Sequence, residues 1–429
     1  RFGPIFSVQF LGAFNDNLLK FALLFLANFG IYKAAPEQAE MLATLATAVF
    51  ILPYFLLSSI AGQIADGWDK AKLVRLIKLA EVGIMSVALV GFWLSSIPIL
   101  LSCLFLMGVH STIFGPVKYS ILPQHLHDNE VMGGTGLVEA GTFLAILGGQ
   151  LLAGLIPAWE AGLVAVGVAV LGLLASLAVP SAPPVGERHP IDWNILKGTG
   201  RIMRAAMATR GVWGAILGIS WFFAVGAVIM SEFAPLVSGT LDAKQEVVTL
   251  FLLVFSLSIA LGSLLVNRLL KGEVSARYVP VAALGMAFFL ISLWLATSGY
   301  DVQTQGADTR TFLASDGAWG ILISLAGIAF SGGVFIVPLY AILQTASAPE
   351  ERSQMIAANN VANAGLTVTL VGVTALLLAN GFDVPGIIGF LGLSTLAVAL
   401  AACWLLPETV IKSLFKAVLT FLYRVEVKG

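Results

Sequence analysis

Gly115-Pro-Val-Lys-Tyr-Ser-Ile-Leu122 ends one long apolar run of the chain, and Val337-Pro-Leu-Tyr-Ala-Ile-Leu343 ends another in its second half. Two further pairs recur in the same order: Gly62 is echoed by Gly262, and Glu139-Ala-Gly141 by Asn363-Ala-Gly365. Matched elements in matched order mean that one structural unit is present twice. The runs they punctuate are long enough to cross the ~30 Å hydrocarbon core of a bilayer, which takes about 20 apolar residues as a helix.

The rest of the chain divides in the same way. Its 429 residues are 58% hydrophobic and 11% charged, with mean hydropathy +0.94, where soluble domains carry about 25% charged residues. An all-α membrane protein is expected, with twelve spans at 2–31, 41–65, 72–96, 98–122, 130–157, 160–180, 211–238, 246–270, 277–298, 317–345, 353–381 and 384–406. Residues 1–181 read as a first six-helix half and 211–406 as a second. Residues 182–210 read as a basic linker whose Trp193, Ile195, Leu196, Ile202 and Met203 alternate with Lys197, Arg201 and Arg204, the pattern of a helix lying on an anionic leaflet. Residues 407–429 read as an amphipathic tail.

Lys70, Lys72, Arg75, Arg188, Lys197, Arg201, Arg204, Arg210, Arg268, Lys271, Arg277 and Arg352 fall in connections on one side, with Lys33, Lys244 and Arg310 as exceptions on the other. By the positive-inside rule that side, and with it both termini, is cytoplasmic. Six spans, a basic linker and six matched spans resemble a major facilitator transporter, whose halves are related by pseudo-two-fold symmetry around a central site. The turn Gly62-Gln-Ile-Ala-Asp-Gly-Trp-Asp-Lys-Ala-Lys72 resembles that superfamily's signature between its second and third helices. Gly62 allows close helix contact, Asp66 suits the positive N-terminal end of a neighbouring helix, and Asp69, Lys70 and Lys72 complete a gate. The equivalent turn of the second half, Val266-Asn-Arg268, lacks the acid.

Charges inside spans carry the functional reading. Gln9-Phe-Leu-Gly-Ala-Phe-Asn-Asp-Asn-Leu-Leu-Lys20 puts Asp16 near the middle of the first span, where a lone charge costs roughly 2.5–3.5 kcal/mol. At ~1.5 Å per residue, Asp16, Lys118 and Glu139 lie roughly 10–20 Å from the basic boundary, at similar depth on three helices. Asp16 and Lys20 are also i, i+4 neighbours that could neutralise each other. The second half is instead apolar: Trp221-Phe-Phe223, Phe251-Leu-Leu-Val-Phe255 and Phe330-Ser-Gly-Gly-Val-Phe335, with Glu232 its one acid well inside a span and Asn359, Asn360 and Asn363 its main polar groups.

Mixed charge in one half and an apolar wall in the other suit an amphiphile with a polar head and a long tail. Moving a ~16-carbon chain into water at ~0.8 kcal/mol per CH₂ would cost roughly 13 kcal/mol, so a lipid carrier keeps the tail in apolar surroundings and admits it sideways. For the head, Lys118 suits a phosphate, and Asp16 or Glu139 an ammonium. Asn15, Asn17, Lys20 and Tyr119 join them as expected head contacts; Phe222, Phe251, Phe335, Tyr340 and Asn363 are the expected tail contacts.

Gln9-Phe-Leu-x-Ala-Phe-x-Asp-Asn17, Pro116-x-Lys-Tyr-x-Ile-Leu122, Gly136-Leu-x-Glu-Ala140 and Gly332-Gly-x-Phe-x-Val-Pro-Leu339 together resemble the bacterial lysophospholipid transporter family. The resemblance runs over nearly all twelve spans. It implies inward movement of lysophospholipids, chiefly lysophosphatidylethanolamine, across the Gram-negative inner membrane for reacylation. It also implies fusion to an acyltransferase and an acyl-carrier-protein synthetase, and Pro407 to Gly429 looks like the lead-in to such an acyltransferase.

Enzymatic readings lack their residues. Acyltransfer of that class needs a His and an Asp four residues apart, which neither His125-Leu-His-Asp-Asn-Glu130 nor His110 supplies. Cys103 and Cys403 lie inside spans and indicate neither a disulfide framework nor a metal site. No cofactor, metal or nucleic-acid partner is expected. Two rival readings are a proton-coupled exporter of drugs or amphiphiles, with Asp16 and Glu139 titrating, and a scaffold in which the charges are structural.

Overall fold

The computed structural model describes residues 1–32, 35–186 and 190–405. Lys33, Arg188 and the expected tail at 407–429 lie outside the described residues. Twelve helices of 20 residues or more are present among those described: α1 (Phe2–Phe25), α2 (Pro36–Gly67), α3 (Lys70–Trp93), α4 (Ile97–Ser120), α6 (Asp128–Leu155), α7 (Ala158–Leu177), α9 (Arg210–Pro235), α10 (Gln245–Leu270), α11 (Val279–Ser298), α13 (Ala318–Ala346), α14 (Arg352–Ala379) and α15 (Val384–Leu405). Between them lie three shorter helices: α5 (Leu122–His125), α8 (Ile195–Ala208) and α12 (Thr309–Ala314). One π-helical turn extends α1 over Leu26–Ile31, and another extends α9 over Leu236–Thr240. The short α12 lies in the connection between the spans expected at 277–298 and 317–345, and Asp308 caps it by accepting from the Thr311 amide at 2.8 Å.

Eleven of the long helices are apolar enough to cross a membrane, and the protein is a multi-pass membrane protein. The exception is α3, which carries Lys70, Lys72, Arg75, Lys78 and Glu81. Lys78 and Glu81 are wholly buried inside it. In sequence, the preceding Lys70, Lys72 and Arg75 mark the basic boundary of the span, and the Lys78–Glu81 pair is hidden behind them.

Contacts group the described residues into two compact units: those of 1–221 with 340–366, and those of 222–339 with 367–405. In the first unit α1 packs on α6 and α7, α2 on α4, and α3 on α4 and α7. Small residues let the helices approach, as membrane helices require: a Cβ on Gly149 of α6 would stand 3.0 Å from the Leu18 amide of α1. The core between α1, α3, α4 and α7 is built from Leu18, Leu19, Leu23, Met85, Leu104, Met107 and Ala165.

The linker helix α8 belongs to this unit. Ile202 and Ala206 face inward, while Trp193 and Leu196 are 69% and 84% exposed. Gln63 of α2 holds the strand of chain leading into α8, accepting from the Asp192 amide at 2.9 Å.

The second unit packs α11 on α15. Gly333 of α13 meets α10 at Gly262, where a Cβ would stand 2.7 Å from the Ser263 amide. Phe233, Phe251, Phe255 and Phe312 form an edge-to-face aromatic core.

Candidate functional site

The first unit holds nearly all the buried charge, and it is arranged in two linked groups. One is built on α1, α3 and α4. The Asn15 amide donates to Glu81 Oε1 at 2.8 Å and to the Ala165 carbonyl of α7 at 3.1 Å. Glu81 Oε2 pairs with Lys78 Nζ at 2.5 Å, and His110 Nε2 stands 3.2 Å from the same oxygen. On the other edge of the imidazole, Nδ1 lies 3.3 Å from Ser111 Oγ, and Ser111 donates to Asp16 Oδ2 at 2.7 Å. Asp16 Oδ1 is buried with no hydrogen-bond partner among the described residues.

Glycines make room for the ammonium of this group. A Cβ on Gly12 would stand 2.7 Å from Lys78 Nζ, and one on Gly172 of α7 would stand 3.5 Å from its Cδ. Phe114 offers its ring face to the same ammonium at 5.4 Å, a cation–π contact. Breaking a buried pair by removing one partner costs ~3–5 kcal/mol, so Lys78, Glu81 and their neighbours hold each other in place.

The second group lies on α4 and α6. Tyr119 donates to Glu139 Oε1, and its ring stacks on that of Tyr340 with centroids 4.2 Å apart. Lys118 Nζ rests 4.6 Å from the Tyr119 centroid and interacts electrostatically with both Glu139 and Asp16. The Lys118 stem lines a small apolar cavity with Val8, Val74 and Phe114. Asn359 of α14 is wholly buried and interacts with Tyr340, and the Asn360 amide lies 3.2 Å from where a Cβ on Gly115 would stand.

Asn15, Asp16, Lys118, Tyr119 and Glu139 are thus brought into the two groups. Of the others, Tyr340 joins the second group and the rest go elsewhere. Asn17 donates to the Ala13 carbonyl of its own helix at 2.9 Å. No ion pair joins Lys20 to Asp16 among the described residues, because the Asp16 carboxylate turns to Ser111 of α4 instead. Tyr340, expected at the tail, stacks beside Glu139, and Asn363 accepts from Ser220 at 2.7 Å. Phe251 is completely buried among Phe233 and Phe312, so its ring serves the core of the second unit. Phe222 packs on Gly332, and Phe335 is buried. Lys78, Glu81, His110 and Ser111 were missed; the available signal was a Lys and a Glu three residues apart, on one face of a span.

A separate cluster forms where α2 meets α14. Asp66 Oδ1 accepts from the Ser353 amide at 2.9 Å and Oδ2 from the Gln354 amide at 3.0 Å. These are among the first amides of α14, which have no partner within their own helix. Gly62 permits the approach, since a Cβ there would stand 2.9 Å from Gln354 Cα. Ser120 and Ser353 join hydroxyls at 2.9 Å beside it.

Asp69 caps α3, accepting from the Lys72 amide at 3.0 Å and from Ser181, at the end of the first half, at 2.5 Å. Slight burial works against its charge, but Ser181 and the amides of Lys72, Ala71 and Ala182 outweigh it and hold the carboxyl below the usual range. Lys70 is buried and interacts electrostatically with Asp66, while the side chain of Lys72 is exposed. Among the described residues, no group of three or more His, Cys, Asp or Glu side chains is placed to hold a metal.

Comparisons with known proteins bear on what this arrangement does. Residues 5–361 match the family model described as the Major Facilitator Superfamily. The chain is 26% identical over 421 residues to "Lysophospholipid transporter LplT" of Citrobacter koseri, covering 93% of this chain and 94% of that protein. It is equally similar to the protein of the same name from Enterobacter sp., over 420 residues with the same coverage. Nothing in these matches supports the expected acyltransferase fusion. Solved structures share the fold: the human organic anion transporter MFSD10 at TM-score 0.70, 15% identical over 93% of this chain and 99% of that one. The Escherichia coli fucose:proton symporter FucP gives TM-score 0.68, 11% identical over 94% and 98%.

Proposed function

The chain belongs to the major facilitator superfamily, and we propose that it is a lysophospholipid transporter of the bacterial inner membrane. It carries lysophosphatidylethanolamine and related lysolipids inward for reacylation, by alternating access with sideways admission of the lipid between helices. The basic side is cytoplasmic, so both termini and α8 face the inner leaflet. No covalent step is assigned to these residues.

The observation that carries this reading is Asp16, an acid within a membrane span whose Oδ2 is tethered to Ser111 while Oδ1 is buried without a partner among the described residues. A head-group ammonium would satisfy it. Lys118, in electrostatic range of both acids, is the cation for the phosphate, and Glu139 with Tyr119 bounds the head on its other side. The relatives named lysophospholipid transporters support the same substrate class. Asp66 at the N-terminus of α14 acts as the latch of the basic side, with Gly62 allowing contact.

The test is uptake of labelled lysophosphatidylethanolamine into proteoliposomes, with and without a proton gradient. Asp16→Asn and Lys118→Ala are expected to lower uptake at least tenfold in folded protein. Unchanged uptake in Lys118→Ala and Glu139→Ala would leave the charges a structural role and overturn the carrier reading. Uptake abolished by collapsing the gradient would favour the proton-coupled exporter.

A further inference from the structure

Lys20 of α1 has no hydrogen bond, ion pair or electrostatic partner among the described residues. The other amines inside the spans of the first unit are engaged: Lys78 pairs with Glu81, and Lys118 interacts with Glu139 and Asp16. From Lys20 to Ile31, where the π-helical turn ends, α1 still has about 16 Å to run. That is beyond the reach of a lysine side chain, so Lys20 does not snorkel to the outer boundary.

The rotation of α1 fixes what Lys20 faces. Each residue turns the helix by about 100°, which places residue 20 between residues 16 and 17 around its circumference. Asp16 is bonded to Ser111 of α4. Asn17 Cβ lies 3.2 Å from where a Cβ on Gly149 of α6 would stand. Lys20 therefore opens onto the gap between α4 and α6, the gap that Tyr119 and Glu139 bridge nearer the basic side, and it is partly exposed there.

The contacts also fix its depth. α1 and α4 run in opposite directions, since Arg1 meets the His125 carbonyl of α5, just beyond α4, at 3.5 Å. The Ser111–Asp16 bond sets residues 16 and 111 level with each other. From that level Lys20 stands about 6 Å farther from the basic side, and Lys118 about 10 Å nearer to it. Two cations thus flank Asp16 along the span, about 16 Å apart.

We propose that Lys20 is a second phosphate-binding residue, an outer station that holds the anionic head of an incoming lysolipid before it reaches Lys118. This deepens the lysophospholipid reading above and rests on it. A lone charge inside a span is costly, and a phosphate beside Lys20 turns it into half of a pair. Between the stations the head passes Asp16, whose open Oδ1 suits an ammonium. The phosphate is common to all lysophospholipids, so Lys20 serves heads with and without an ammonium alike.

Uptake of labelled lysophosphatidylethanolamine and lysophosphatidylglycerol by the intact chain in proteoliposomes tests it, because the two share the phosphate and differ in the ammonium. Lys20→Met should raise KM for both lipids about tenfold, the loss of one hydrogen bond to a charged group, and leave kcat within about twofold. An unchanged KM, or a rise for the ethanolamine lipid alone, overturns the proposal. With Cys103 and Cys403 replaced by alanine, Lys20→Cys treated with aminoethyl methanethiosulfonate regains an ammonium and should regain uptake. The methyl reagent should not restore it, and equal recovery with both overturns the proposal; this pair of reagents decides if Lys20→Met does not fold. In intact cells a membrane-impermeant methanethiosulfonate should label Lys20→Cys before Lys118→Cys, and equal rates overturn the order of the stations. Uptake of neither lipid by the unmutated protein defeats the lysophospholipid reading itself, whereas uptake of both with KM unmoved in Lys20→Met defeats only the outer station.

Discussion

Asp66→Ala should unfasten α2 from α14. The Asp66 carboxylate accepts from the Ser353 and Gln354 amides at 2.9 and 3.0 Å and from the Gln354 side chain at 3.4 Å. A hydrogen bond to a charged group contributes ~1.5–3 kcal/mol net, and a carboxylate at a helix N-terminus adds ~0.3–1 kcal/mol. The bonds share one carboxylate and do not add in full, so the latch as a whole contributes about 2–4 kcal/mol. If the carrier exchanges between latched and unlatched forms, that is a shift of roughly 30- to 700-fold in their ratio, at about 1.4 kcal/mol per tenfold.

Ser120 reports on it, because the residue is 1% exposed and its hydroxyl is bonded to Ser353 at 2.9 Å. In protein with Cys103 and Cys403 replaced by alanine, Ser120→Cys should react slowly with a water-soluble maleimide. Adding Asp66→Ala should speed that reaction at least tenfold and slow transport. Asp66→Asn, which keeps an acceptor but loses the charge, should fall between. Labelling rates within twofold of each other in all three backgrounds would refute the assignment of Asp66 as a latch.

Three further outcomes follow from the same contacts. Glu81→Gln strands Lys78 and should cost ~3–5 kcal/mol, read as a lower melting midpoint in detergent, with Lys78→Met/Glu81→Leu recovering part of the loss; an unshifted midpoint in the single variant would contradict the pairing. Tyr119→Phe keeps the stack on Tyr340 but removes the donor to Glu139, and should lower lysophosphatidylethanolamine transport about tenfold, equivalent to ~1.4 kcal/mol within the range for an orphaned buried group; full activity would show that this bond is idle. Asp69→Asn isolates the charge of a helix cap, and about 0.5 kcal/mol should be lost at pH 7. Since the folded carboxyl of Asp69 sits below its usual range, that stability is present above the unfolded value and disappears as pH falls below about 4; a stability difference from Asp69→Asn that grows on acidification would reverse the sign.

Much of the molecule was legible without coordinates. Apolar runs of spanning length, the repeat of Pro-x-x-Tyr-x-Ile-Leu at 116–122 as Pro-x-Tyr-x-Ile-Leu at 338–343, and the charge asymmetry between connections specify a duplicated membrane bundle, because hydrocarbon allows few other ways to satisfy the backbone. The need of Asp16 for a partner was equally plain. Its partner was not. Lys20 is the nearest charge along its helix, yet the carboxylate is bonded to Ser111 from another helix. The Lys78–Glu81 pair lay hidden in a run of cations that also marks topology, and His110 looked inert because its chemistry depends on α3, α1 and its own neighbour Ser111 at once.

The sequence alone thus determined the class, the spans and the half of the chain that holds the charge, since each follows from local hydropathy and from the cost of charge in a membrane. Only the tertiary structure decided which charges meet, which oxygen of Asp16 is left open, and that Tyr340 stacks on Tyr119 rather than lining a tail surface. Partner choice depends on helix rotation and on where glycines such as Gly12, Gly62 and Gly149 let helices close to contact. Those are properties of packed pairs of helices, and no single helix carries them in its own periodicity.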